Sequence, residues 1–440
     1  MVPGRPRLFW CGFLFLALFL FRFYFGLCEC KWWEVDERQT WLIGLKYYST
    51  LQWPYFGPDV NGQENQAFNS QIPGALEGLT IGLPLRLFPF PETSVAVLAL
   101  MTTFGAALLA WYIRRKCPSF SWPWLFAWIA VTPWSLFEGV HVINPAYDFL
   151  PSILFFIGFF ECVPAFSTGL LSAPWAGAWM GFSLFWIMQF HFSYVYLIPL
   201  GLFAMGSRCN KDRTWKAPLG FFLGALPTLG LVIPTWLQDG LNPGHVAAGF
   251  LVSFNLNNVA EGLTVLARYL SLVCFELLRF IGPGTHERWE FLKAHPLLFI
   301  PGLILSIGGI AQPIALAFAV FHKKHVLKDW EAMKGLIVAC YLMVWVSFWF
   351  TSKLPLAHIY MVFYPMLMVY SIYVWNLFPR NKLSSRTAKA FVLLGLFFML
   401  FYAPILAQKD GLSLNRDPLV RALQQKNYHL AGERRPGSLY

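Results

Sequence analysis

Trp32-Trp33-Glu34-Val35-Asp36-Glu37-Arg38 opens a mostly polar stretch, Cys28 to Glu92, set between two apolar runs, Leu8 to Leu27 and Thr93 to Ile113. The contrast with the rest of the chain decides the fold class. Of its 440 residues 57% are hydrophobic, 18% aromatic and only 12% charged. A mean hydropathy of +0.53, with 44 Phe and 20 Trp, exceeds what so little charge keeps in water. Several apolar runs approach the ~20 residues a helix needs to cross a bilayer. They are continuous rather than alternating, which excludes a β-barrel. The chain therefore reads as an all-α polytopic membrane protein. Acidic residues crowded directly after a span are costly to place without a purpose, so the stretch reads as a loop holding a catalytic carboxylate at the membrane surface.

Basic residues orient the spans. Arg5 and Arg7 put the N-terminus in the cytoplasm. Lys and Arg gather again at Arg114-Arg115-Lys116, Arg208–Lys216, Lys323-Lys324 and Arg380–Lys382, always on the same side of the path. Spans are expected over Leu8–Leu27, Thr93–Ile113, Trp122–Phe137, Phe149–Val163, Leu170–Met188, Tyr194–Met205, Pro218–Leu237, Leu297–Phe321, Gly335–Phe350, Leu356–Leu377 and Ala390–Ala407, about eleven in all. Residues 1–407 then form the membrane domain, with long external loops 28–92 and 238–295. Residues 408–440 form a polar external tail with a short ordered segment at most. No small-residue cleavage site follows Leu8–Leu27, which reads as a retained first helix with Arg22 snorkelling toward the interface. The net charge of +11 is divided among the clusters without a basic face, which excludes nucleic acid as a partner.

Most of the eight cysteines sit in apolar surroundings as small core residues. Cys28-Glu29-Cys30 lies at the outer face, at a spacing poor for a mutual disulfide and foreign to zinc sites. His141, His191 and an acidic residue lack ligand spacing as well, so no metal ligand is assigned. Asp36–Leu51 has helical periodicity, with Trp41, Leu45 and Tyr48 on one side and Asp36, Gln39 and Thr40 on another. One reading is a helix lying on the membrane with acids suited to its N-terminal dipole. The other makes a carboxylate there a proton acceptor for a hydroxyl or amine. Val259–Phe280 reads as a second amphipathic helix carrying Arg268 and Arg279.

Further stretches follow in order: Trp53-Pro54-Tyr55-Phe56-Gly57-Pro58, Ile72-Pro73-Gly74-Ala75-Leu76-Glu77 through Leu83-Pro84, Asn144-Pro145-Ala146, Gln189-Phe190-His191-Phe192-Ser193, and Ala357-His358-Ile359-Tyr360 through Tyr364-Pro365. With the acidic pair after the first span, their order and sidedness resemble the GT-C superfamily of membrane glycosyltransferases. The similar branch is that of the dolichyl-phosphate-mannose–protein mannosyltransferases and the bacterial lipid A aminoarabinose transferase. The resemblance runs from about Leu8 to Ala407. It departs at Asn69-Ser70-Gln71-Ile72-Pro73, where the aminoarabinose transferases carry a Glu-Lys-Pro-Pro-like stretch, and the ~30 residues after Ala407 are expected to be too few for the large soluble C-terminal domain of some relatives.

The resemblance implies inverting transfer of a sugar from a polyprenyl-phosphate donor to a lipid, glycan or protein acceptor on the external, periplasmic face of a bacterial inner membrane. It places the base at Asp36, with Glu37 as the alternative. It places the donor phosphate near Lys353, His358 and Arg268, and Tyr55, Asn144, Gln189, His191 and Tyr360 in the substrate cavity. No cofactor is assigned, and a divalent ion stays open. A multi-pass transporter or flippase is the alternative; against it, charges within spans are few and polar residues concentrate in the external loops.

Overall fold

The computed structural model describes residues 5–30, 35–59, 71–240, 254–282, 284–323, 327–351, 356–377, 382–409 and 416–432. Among them seven helices are long and apolar enough to cross a membrane: Phe9–Glu29, Glu92–Lys116, Asn144–Cys162, Pro296–Ala319, Trp330–Phe348, Ala357–Trp375 and Arg386–Gln408. Each overlaps a span expected from the sequence, with ends shifted by a few residues. The only sheet among the described residues is a two-stranded antiparallel ribbon, Phe56–Asp59 against Gln71–Pro73, with Phe56 opposite Pro73. The chain is an all-α integral membrane protein.

The other four expected spans take different forms, and proline explains two of them. Trp122–Phe137 is broken into Trp122–Val131 and Pro133–Val140. Thr132 between them has ψ 136°, because Pro133 disfavours the helical conformation in the residue before it. Pro218–Leu237 is likewise divided into Lys216–Gly230 and Ile233–Asp239, the second with proline in its first turn. Leu170–Met188 shortens to Ala173–Met188, starting at a Pro174 well suited to a helix N-terminus. Tyr194–Met205 instead runs on to Asp212, its last turns polar. The amphipathic helix expected over Val259–Phe280 is interrupted: Gly262–Ser271 and Leu278–Ile281 are separate helices.

The break at Thr132 frees backbone carbonyls inside an apolar environment, where an unmet acceptor is expensive. Arg22 meets them. Its Nη1 donates to Ala130 O at 2.8 Å and Ser135 Oγ at 3.0 Å, and its Nη2 to Ser135 O at 2.7 Å. The side chain is fully buried, so it does not snorkel to the interface as expected from the sequence. The same break offers the Thr132 hydroxyl to Tyr364 at 2.8 Å. One guanidinium thus joins the first span to the broken helix, and Thr132 joins that helix to a late span.

Glycine sets the closest helix contact. Gly177 and Gly181 face Ala217 and Phe221, while Gly220 and Gly224 face Pro174 and Ala178; a Cβ at any of the four would overlap a backbone carbonyl. The matching order of these contacts makes Ala173–Met188 and Lys216–Gly230 parallel neighbours. Small residues four apart permit such approach, the usual device where lipid supplies no hydrophobic drive.

Polar contacts tie the span ends together on two faces. On one, Lys116 Nζ lies 3.0 Å from Asp329, which also accepts from Tyr373 at 2.8 Å. Nearby, the buried Glu161 carboxylate accepts from Tyr112 at 2.9 Å and from the Thr168 hydroxyl at 2.7 Å. On the other face the first-loop helix Val35–Thr50 packs beside Leu76–Leu87, with Trp41, Leu45 and Tyr48 buried on one side. That apolar side meets protein rather than lipid. Part of its cover is the tail segment Arg416–Gln424, with Leu419 and Leu423 buried in the same cluster.

Candidate functional site

The face that holds the first-loop helix also gathers the histidines and acids singled out in the sequence. Glu29 ends the first long helix, Glu37 stands in the first turn of Val35–Thr50, and His141 follows Pro133–Val140 in extended conformation. These three ends meet. His141 Nε2 pairs with Glu37 Oε1, and its Nδ1 lies 3.7 Å from Glu29 Oε1. Glu37 is fully buried. Burial alone would lower the imidazole pKa, yet the carboxylates of Glu29 and Glu37, with Glu138 beyond, outweigh it and raise it to about 10. His141 is therefore an imidazolium at neutral pH.

Asp36 occupies the second position of the same helix, but its side chain lies outside the described residues. Lys353 also lies outside the described residues.

Three residues beyond His141, a tight 3-10 turn, Asn144–Asp148, opens the next span. Asn144 Nδ2 donates to Phe190 O at 3.0 Å, and Tyr147 stacks on the Phe190 ring with centroids 5.1 Å apart. The turn is thereby locked to the Gln189–Ser193 corner. Gln189 is itself fully engaged there: Oε1 accepts from Leu76 N at 3.3 Å, and Nε2 donates to Phe185 O at 3.0 Å and Thr228 O at 2.8 Å. Gly74, at φ +134°, lies so close to the Gln189 side chain that a Cβ would overlap it. Its N–H donates to Tyr55 O at 2.9 Å, and the Thr235 hydroxyl donates to the same oxygen. Tyr55 and Gln189 thus anchor the first loop to the later helices.

Asp148, which sequence reasoning passed over, is the buried acid of this corner. Its Oδ2 accepts from Ser193 Oγ at 3.4 Å, and its Oδ1 has no partner among the described residues. Glu77, also fully buried, interacts electrostatically with both Asp148 and Tyr147. The available signal was position: an acid closing an Asn-Pro turn at a span start. His191 Nδ1 accepts from Ser193 N at 3.2 Å, and its ring lies 5.9 Å from that of His358, edge to face.

His358 and Tyr360 belong to the second 3-10 turn, Ala357–Phe363, which packs against Asn144–Asp148. Tyr360 is fully buried and interacts electrostatically with Arg268, Arg279 and Glu276. Arg279 stacks over Trp134 at 4.8 Å, and Trp134 Nε1 donates to Glu276 at 3.1 Å. The structure accordingly brings together His191 with His358, Tyr360 with Arg268, Asn144 with the Gln189 corner, and Glu37 with His141. Among the described residues no group of three His, Cys, Asp or Glu side chains is placed to hold a metal ion. Both Cys28 and Cys30 are buried, and neither forms a disulfide among the described residues.

No protein-family model matches this chain, and no curated protein sequence matches it. Fold and composition define its class as a multi-pass α-helical membrane protein.

Proposed function

We propose that this protein is a GT-C type membrane glycosyltransferase that moves a sugar from a polyprenyl phosphate to an acceptor at the non-cytoplasmic face. The observation that carries the reading is the meeting of three segments. The first turn of Val35–Thr50 is pinned by His141, while the Asn144–Asp148 and Ala357–Phe363 turns pack together just beyond it. An acidic loop helix held by His141, itself close in sequence to the first of two span-opening turns that pack together, with arginines beside the second, would offer a base on one side and cations on the other.

In this reaction the acceptor O–H proton passes to the Asp36 carboxylate as the acceptor oxygen attacks the anomeric carbon. The new glycosidic bond forms as the bond to the donor phosphate oxygen breaks. The polyprenyl phosphate leaves with that electron pair, and Arg268 and His358 stabilise its charge. Glu37, bound to His141, orients the helix instead of taking the proton. The four helical stretches outside the seven long spans are assigned as crossings too, giving about eleven. Lipid-facing residues support this: Leu202, Phe203, Leu219, Phe222 and Leu226 are large, apolar and exposed. The N-terminus is assigned to the cytoplasm and the active face to the periplasm of a bacterial inner membrane.

A transporter or flippase draws support from one observation, a buried arginine at a broken membrane helix, since such breaks line substrate paths. The hydrogen bonds of Arg22 to that break already account for it. The test is transfer from a synthetic polyprenyl-phosphate sugar by purified protein: Asp36→Asn should remove most turnover while the fold is kept. Full turnover in that variant would remove the assigned base. Solute uptake into sealed vesicles without donor would favour transport.

A further inference from the structure

We propose that the C-terminal segment Arg416–Ala431 is a positioning strap that holds the first-loop helix Val35–Thr50 in place. Leu419, Leu423 and Ala431 are buried in one apolar cluster with Trp41, Leu45 and Tyr48. Tyr48 Oη donates to Leu423 O at 3.0 Å, closing the end of the strap helix over the loop helix. Arg416 Nε lies 2.6 Å from Glu92 Oε1, fastening the other end to the first turn of a membrane span. These contacts join residues more than 300 positions apart.

A helix as short as Arg416–Gln424 is unstable alone in water, so it exists here because packing holds it. The benefit runs both ways. Without the strap, the Trp41–Leu45–Tyr48 side of the loop helix loses part of its cover, and the turn bearing Asp36 and Glu37 loses rigid support. The contacts of the strap fall on Trp41, Leu45, Tyr48 and Glu92, so Arg416, Leu419 and Leu423 are positioning residues that act through the loop helix. The catalytic part of this inference rests on the glycosyltransferase reading; the mechanical part does not.

The test uses the full chain with Leu419→Glu, which puts a charge into the cluster, and Leu419→Met as the volume-conserving control. Hydrogen exchange is read by mass spectrometry across Val35–Thr50, with Glu92–Lys116 as internal reference, and turnover is measured on a polyprenyl-phosphate sugar. The strap predicts at least ~10-fold faster exchange in the loop helix with the reference span unchanged. It also predicts a comparable fall in kcat with donor KM held, and wild-type behaviour in the Met variant. Unchanged exchange overturns the strap. Faster exchange with unaltered kcat overturns its positioning role. Faster exchange in a protein whose wild type transfers no sugar upholds the mechanical strap and refutes the glycosyltransferase reading and the positioning role with it. Should Leu419→Glu also unprotect the reference span, Arg416→Glu replaces it, and restoration of both readouts by adding Glu92→Arg decides the question.

Discussion

Replacing His141 with alanine removes the imidazolium that pairs with the buried Glu37 carboxylate. The raised imidazole pKa gives the magnitude. A rise from 6.5 to about 10, at ~1.4 kcal/mol per unit, corresponds to ~5 kcal/mol for the protonated form in the fold. Breaking a buried ion pair by deleting one partner independently costs ~3–5 kcal/mol. A loss of ~4 kcal/mol, or roughly a thousandfold in the folding equilibrium, satisfies both. The folded pKa lies above the unfolded one, so this stabilisation is complete below pH ~6.5 and disappears as pH rises through about 10. The wild type should therefore lose stability between those limits, and His141→Ala should lack that loss. Unfolding in detergent, followed by circular dichroism over a series of pH values, reads both proteins. The gap should be widest at and below pH ~6.5 and narrow steadily from there toward pH 10. Equal stability at pH 7, or a gap that stays constant to pH 10, would refute the pairing.

Gly181→Leu should force the two parallel helices apart and cost ~1–3 kcal/mol or more in detergent unfolding, whereas Gly206→Leu, at an open position, should be nearly neutral. Arg22→Met should cost ~3 kcal/mol by stranding the carbonyls of the broken helix, and Arg22→Lys should recover only part because an ammonium lacks the planar fork. Accessibility tags after Leu51 and after Ala431 should report the same membrane face, and a tag after Lys116 the opposite one.

The long spans were legible because uninterrupted apolar runs of bilayer length have few other solutions. The loop helix was legible because Trp41, Leu45 and Tyr48 recur at helical spacing, although spacing alone did not say whether lipid or protein would cover them. What escaped the sequence was long-range. Pro133 stands in plain view, yet nothing near Arg22 announces that its guanidinium fills the break more than 100 residues on. The Gly177/Gly181 and Gly220/Gly224 pairs stand at the spacing of close helix packing, but spacing alone does not say which two helices meet there. Gln189 and Tyr55 carried family-like motifs, and their polar atoms chiefly join the first loop to later helices. Conversely Asp148 and the His141–Glu37 pair sit at the centre of the site without a spacing rule to mark them, because their partners come from separate segments.

The central claim is that a sugar delivered on an isoprenoid phosphate is transferred at the face where Glu37 and His141 meet. Incubating the purified protein with a radiolabelled polyprenyl-phosphate sugar and following release of the free lipid phosphate tests it most directly. The account predicts release that depends on added acceptor and is nearly abolished in Asp36→Asn. Acceptor-dependent release of equal size in that variant, or none from the folded wild type with any acceptor class, would contradict it.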